Sequence, residues 1–266
     1  MKILKGKPVA DAIRGNLAEK LSGKRLGIFR FGKDPSSESY LRGINKNASL
    51  LGVKVEIYTS YSTQKIYTQL EEFNRYMDGV LLLKPFPEGV SIEKMIKIIG
   101  PEKDVEGIHP ENLGQIMLGK PRVIPPTPGA VMETIKFYNI QTDGKFVVII
   151  GRSEVVGKPI ANLFLLKTQT GNATVTVCHS KTKNLKGISK KADILVVSIG
   201  KPNFIDSGFV KRGSFVIDVG INLTPEGIKG DVNFEDVSSY VKGITPVPGG
   251  VGSITSALLM KNLSYL

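Results

Sequence analysis

Val147-Val148-Ile149-Ile150-Gly151-Arg152-Ser153-Glu154-Val155-Val156-Gly157-Lys158-Pro159 is the stretch on which the reading of this chain turns. From Phe146 to Ile150 every residue is apolar and most are β-branched, the pattern of a strand buried in a parallel sheet. Gly151 breaks the run where such a strand would meet a ligand. Gly157 and Pro159 then open a periodic segment, Ile160, Leu163, Phe164 and Leu166, which predicts a helix with proline near its first turn. Strand, glycine-bounded loop and helix together aim backbone N–H groups and a helix N-terminus at phosphate. The spacing is not G-x-G-x-x-G, so the usual dinucleotide fingerprint is absent. Spacing alone leaves both a nucleotide-binding loop and an ordinary strand-to-helix turn open.

Downstream, further strands are predicted at Ala173 to Cys178, Ile194 to Ser198 and Phe215 to Asp218. Pro246-Val247-Pro248-Gly249-Gly250-Val251-Gly252-Ser253 is too glycine-rich for helix or strand, and suits either close backbone approach to a ligand or a plain loop. A terminal helix carries Ile254, Leu258, Leu259 and Leu263. Upstream, Pro121, Pro125, Pro126 and Pro128 mark a linker, with Thr127-Pro128 as the expected cap and first residue of the next helix.

Before that linker the pattern again alternates. Val9, Ile13, Leu17 and Leu21 give one apolar helix face, and strands are predicted at Leu26 to Phe31, Val53 to Tyr58 and Val80 to Leu83. Ile92, Met95, Ile96 and Ile99 mark another helix. Asp34-Pro35-Ser36-Ser37 offers capping groups to a helix whose face holds Tyr40, Ile44, Ala48 and Leu51. That face reads either as a core stripe or as one that presents the Tyr40 ring to a flat ligand. Repeated β–α units favour an α/β fold with a parallel sheet covered by helices.

Composition narrows the function classes. A chain of 266 residues, 41% hydrophobic and 23% charged, holds one large or two modest domains. No apolar run reaches membrane-spanning length, and Met1 to Gly6 lacks a signal-peptide core. Cys178 is the only cysteine, so neither an intramolecular disulfide nor a cysteine-based metal site is possible; a cytoplasmic protein without a metal is expected. The net charge of +12 is scattered rather than clustered, and tryptophan is absent. That argues for a basic field attracting small anions, and against a nucleic-acid surface.

Seven segments decide the family reading. They are Asp34 to Tyr40, Pro101 to Gly107, Pro125 to Pro128, Gly151 to Pro159, Cys178 to Thr182, Asp218 to Asn222 and Pro246 to Gly252. In this order the chain resembles the methylenetetrahydrofolate dehydrogenase/cyclohydrolase (FolD-type) family. The resemblance implies two α/β domains around a cleft: 1–121 as the folate domain, with the terminal helix 253–266 packed back on it, and 122–252 as a Rossmann-like NADP domain. It implies NADP-dependent oxidation of 5,10-methylenetetrahydrofolate to the methenyl form, and a homodimer. Carried over, the cofactor residues are Gly151, Arg152, Ser153, Ser180 and Ile221. Tyr40 and Glu106 are the catalytic candidates, and Tyr40, Leu83, Lys84, Glu106, Pro248, Gly249 and Gly250 the substrate-binding ones. Arg152 favours NADP over NAD, because arginine makes charge-assisted, often bidentate contacts to phosphate.

Three positions depart from the family pattern. The family places a lysine four residues after the tyrosine, a glutamine before its Pro-x-Pro turn and a second aspartate in Lys-Asp-Val-Asp-Gly. Here these are Ile44, Leu83 and Glu106. The lysine and glutamine serve the hydrolytic step in the family, so dehydrogenase activity is expected and cyclohydrolase activity is in question. A non-catalytic paralogue, or hydrolysis through Lys84 or Lys46, are the alternatives.

Overall fold

The computed structural model describes residues 1–15, 17–34 and 37–266. In chain order, β1 (Lys2–Ile3), α1 (Gly6–Arg14), α2 (Ala18–Leu21), β2 (Arg25–Phe31), α3 (Glu38–Leu50) and β3 (Lys54–Ser60) come first. Then follow α4 (Ile66–Arg75), β4 (Gly79–Leu83), α5 (Ile92–Ile99), α6 (Pro110–Met117) and α7 (Pro126–Phe137). The next part holds β5 (Phe146–Ile150), α8 (Gly157–Leu165), β6 (Thr174–Cys178), α9 (Leu185–Ser189), β7 (Ile194–Val197) and β8 (Phe215–Asp218). A hairpin of β9 (Asn222–Thr224) and β10 (Gly227–Lys229), then α10 (Phe234–Ser238), β11 (Gly243–Ile244) and α11 (Thr255–Leu263), complete the chain. None of the described helices is long and apolar enough to cross a membrane.

The chain divides into two compact units, Met1–Asp11 with Thr127–Thr255, and Ala12–Pro126 with Ser256–Leu266. The expected boundary put the first eleven residues with the folate domain. They join the other unit instead, because Lys2 and Ile3 pair in parallel with Gly243 and Ile244. A two-residue strand carries no periodicity from which that could be read.

The unit built around Thr127–Thr255 has a six-stranded sheet in the order β1-β11-β8-β7-β5-β6, every pair parallel. Val147 to Ile150 are at most 1% exposed. Each such burial contributes roughly 1.5–3 kcal/mol, which is why this uninterrupted apolar run lies inside the sheet and not at its edge. β5 pairs with β6 so that Ile150 lies beside Cys178. The loops after these two strands therefore leave the sheet side by side. Helix α7 starts at Pro126, two residues before the expected Pro128, and both prolines fall in a first turn that needs no amide donor.

The other unit has a three-stranded parallel sheet, β3-β2-β4. Val80 also bridges to Asp104, and Val80 N–H donates to Lys103 O at 2.7 Å, which sets Lys103 and Asp104 beside β4. The single helix expected from Val9 to Leu21 is two pieces, α1 and α2, parted by a turn at Gly15, a poor helix former. Its four apolar residues are nonetheless buried. Of the expected cap before α3, Pro35 and Ser36 lie outside the described residues. Ser37 makes no side-chain cap; its hydroxyl donates to Asp34 O at 2.9 Å.

Candidate active site

In the unit built around Ala12–Pro126, Tyr40 lies in the first turn of α3 and is partly buried. Glu106 falls in the turn that follows the Val80–Asp104 bridge, where Gly107 N–H donates to Asp104 O at 3.2 Å, and Lys84 is the residue just after β4. Val80, Leu82, Asp104, Glu106 and Ile108 line one hollow. Asp104 is buried and accepts from His109 N–H at 2.7 Å and from Asn112 Nδ2 at 3.0 Å, which fixes the turn carrying Glu106. Gly107 completes that turn at φ +62°, with Pro125 N 3.0 Å from where a Cβ would sit.

Burial, and next the Asp104 carboxylate, push the Glu106 carboxyl up to about 7, while Lys84 pulls it back. Burial, and then the Glu106 charge, also hold the Tyr40 hydroxyl above its ordinary value. Glu106 thus lies within electrostatic reach of both Tyr40 and Lys84. Lys84 is exposed, as is Lys46 on α3.

In the other unit, Gly151 follows β5 at φ +132°, and its N–H donates to Cys178 O at 2.9 Å. A Cβ on Gly151 would strike Ser198, and one on Gly157 would strike the Gly151 carbonyl, so both glycines are required by close approach. Ser153 Oγ accepts from Val156 N–H at 3.1 Å and Gly157 N–H at 3.4 Å, holding the loop against the start of α8. Arg152 is exposed and forms no ion pair among the described residues. Ser180 stands exposed in the turn after β6, which is fixed by His179 N–H donating to Thr182 Oγ1 at 2.9 Å.

The same unit has a cavity of about 210 Å³ beyond the end of β8. Ile221, Pro248, Gly249 and Gly250 line it together, although sequence reasoning had divided them between cofactor and substrate. Gly249 has φ +100°, and its carbonyl accepts from Gly6 N–H at 2.8 Å. Beneath the cavity is a support that sequence reasoning missed. Asp218 is buried and accepts from the N–H groups of Gly220 (2.9 Å), Asp231 (3.1 Å) and Val232 (2.9 Å). Burial drives its carboxyl up to about 7 against those hydrogen bonds, and the neighbouring Asp231 adds to the rise. Asp231 in turn accepts from Ile199 (2.6 Å), Gly200 (3.1 Å) and Lys201 (2.8 Å) N–H, tying the loop after β7 to the segment after β10. The available signal was an aspartate ending a strand with glycine two residues on.

Comparison with known proteins places this geometry. Residues 4–106 match the profile of the tetrahydrofolate dehydrogenase/cyclohydrolase catalytic domain, and residues 125–266 match that of its NAD(P)-binding domain. The chain belongs to the tetrahydrofolate dehydrogenase/cyclohydrolase family. It is 43% identical over 274 residues to the bifunctional protein FolD of Dictyoglomus turgidum, covering 98% of this chain and 96% of that protein. The crystal structure of the bifunctional FolD enzyme from Campylobacter jejuni superposes with a TM-score of 0.91 at 37% identity, covering 99% and 97% of the two chains. The Trypanosoma brucei methylenetetrahydrofolate dehydrogenase-cyclohydrolase, solved with NADP cofactor and inhibitor, gives 0.90 at 29% identity over 99% and 96%. Against this family, the chain carries Ile44 fully buried and Leu83 at 5% exposure. Both of these departures are core residues of their unit.

Proposed function

We propose that the protein oxidises 5,10-methylenetetrahydrofolate to 5,10-methenyltetrahydrofolate with NADP. The observation that carries this is the match to both family domains, with the Gly151–Gly157 loop formed beside the Ser180 turn. The loop fits a dinucleotide phosphate. Its glycines leave room that a Cβ would fill, and Ser198 Oγ beside Gly151 is buried with no partner among the described residues. Arg152 and Ser180 hold the 2′-phosphate in this reading, and Gly151 and Ser153 shape the loop. When bound, NADP supplies the ring that accepts hydride from the folate methylene carbon. That carbon is activated by its own two nitrogens, so the chain's task is orientation. Tyr40 offers a ring face, and Glu106 accepts hydrogen bonds from the amino-pyrimidine edge of the pterin. Pro248 to Gly250 approach the substrate with backbone. NADPH formation from methylenetetrahydrofolate, followed by absorbance, tests the proposal; its absence under saturating NADP would leave only a binding protein.

Glu106 gives this reaction a pH dependence. Its carboxyl titrates near 7, and only the ionised form accepts two hydrogen bonds. A raised pKa means the useful form is present above about 7 and is lost as pH falls. Substrate affinity is therefore expected to drop by up to about tenfold per pH unit below that point. Glu106→Gln should bind weakly and without this slope. An unchanged slope in the variant would remove Glu106 from the pterin contact.

The hydrolytic half is proposed to be nearly lost, because Ile44 and Leu83 put apolar side chains where the family has its lysine and glutamine. One observation favours a second reading. Lys84 follows Leu83 directly and its charge acts on Glu106, so in this reading Lys84 supplies the replacement amine.

A further inference from the structure

The cavity at the opposite end of the six-stranded sheet has no part in this chemistry. It measures about 330 Å³, within the range of small-molecule sites. Its walls come from the N-terminal ends of the strands: Lys145 precedes β5, Asp193 precedes β7, Lys211 and Ser214 precede β8, and Lys242 precedes β11. Gly151, Ser180 and Ile221, by contrast, all follow the C-terminal ends of their strands.

Charge in this cavity is unbalanced. Asp193 is its one carboxylate, and both its oxygens are engaged, one by Lys211 Nζ at 2.7 Å and the other by Phe146 N–H at 3.0 Å. Lys145 acts on Asp193 from a distance and forms no ion pair among the described residues. Lys242 Nζ lies 5.6 Å over the Phe215 ring, also without an ion pair among the described residues. Two ammonium groups thus face one cavity without a carboxylate, and a third is shared. The walls are fixed by backbone hydrogen bonds: Lys242 N–H to Ser214 O (2.8 Å), Gly213 N–H to Tyr240 O (2.8 Å) and Phe215 N–H to Asp193 O (2.9 Å). Asn139 and Gln141, whose side chains carry neutral donors, also line the cavity.

We propose that this cavity is a second anion site, which takes a small phosphate-bearing polyanion between Lys145, Lys211 and Lys242. Lysine binds phosphate as a point charge, and separate ammonium groups suit a ligand with more than one negative charge. A single carboxylate would leave part of this charge unmatched.

The probe is inorganic pyrophosphate, titrated at constant ionic strength into the full-length protein saturated with NADP and followed by backbone amide NMR. Saturable shifts at Gly213, Ser214 and Lys242 are expected. They should persist in Arg152→Ala, whose change lies at the other end of the sheet. Lys145→Gln with Lys242→Gln should weaken them at least tenfold while methylenetetrahydrofolate oxidation stays unchanged. All the exchanged side chains are exposed, and an unaltered amide spectrum elsewhere reports an intact fold. Shifts that never saturate, that appear only around Gly151–Val156, or that survive the double exchange at full strength would overturn the site.

Discussion

Exchange of Arg152 for alanine is expected to weaken NADP binding by about 10- to 150-fold and to leave NAD binding nearly untouched. The size follows from a hydrogen bond to a charged group, worth about 1.5–3 kcal/mol, with each 1.4 kcal/mol a factor of ten. Selectivity follows from chemistry, since the 2′-phosphate is the part of NADP that NAD lacks. Geometry supplies the rest. Arg152 is one residue beyond Gly151 at the end of β5, and β6 ends in register beside it with Ser180 in the following turn. The guanidinium is exposed and forms no ion pair among the described residues, so phosphate does not have to displace an internal carboxylate. Arg152→Lys should recover only part of the loss, because an ammonium keeps the charge but not the two-pronged donor geometry. Parallel titrations of both cofactors decide the matter. Equal losses for NADP and NAD would take Arg152 out of the 2′-phosphate contact.

That loop was legible in the sequence because its constraints are local. An unbroken apolar run must be buried, and glycine must stand where backbone closes on backbone, as Gly151 does on Ser198 and Gly157 on Gly151. Residues 146–150 and 215–218 are strands at the positions expected from pattern alone. What stayed hidden depends on contacts remote in sequence. Lys2–Ile3 is a strand only because Gly243–Ile244 runs beside it. The Asp218–Asp231 support joins residues thirteen apart through backbone N–H groups, and no side-chain motif announces it. The break between α1 and α2 was missed because the apolar spacing continues through it, although Gly15 marks the turn. Tyr40 was left between a core stripe and a ligand platform. The structure leaves it partly exposed while Ile44, one turn on, is fully buried, so the face is core at Ile44 and open at Tyr40.

Hydrolysis of the methenyl product is expected to run close to its uncatalysed rate, a loss of about 10²–10⁴ if a positioned proton-transfer group is what is missing. In that step water adds to the methenyl carbon and one carbon–nitrogen bond opens, so a proton must leave the water and another must reach the freed nitrogen. Ile44 is fully buried and Leu83 is 5% exposed, and neither carries a group that can move a proton. Ile44→Lys alone should restore little. Its amine would enter an apolar interior, where desolvation drives a lysine toward its neutral form and no partner is supplied. It should also lower stability, since an unpaired amine replaces packed methyl groups. Adding Leu83→Gln provides an acceptor and a donor, and the pair should restore more hydrolysis than the two single exchanges added together. Groups that act as one unit combine non-additively, and this excess is the signature to measure. Disappearance of the methenyl chromophore, corrected for the buffer rate, gives the readout, with NADPH formation as the internal control. Efficient hydrolysis by the unaltered protein would sink this account. If Lys84→Ala then abolished that hydrolysis while sparing hydride transfer, the lost amine would have been replaced from the end of β4.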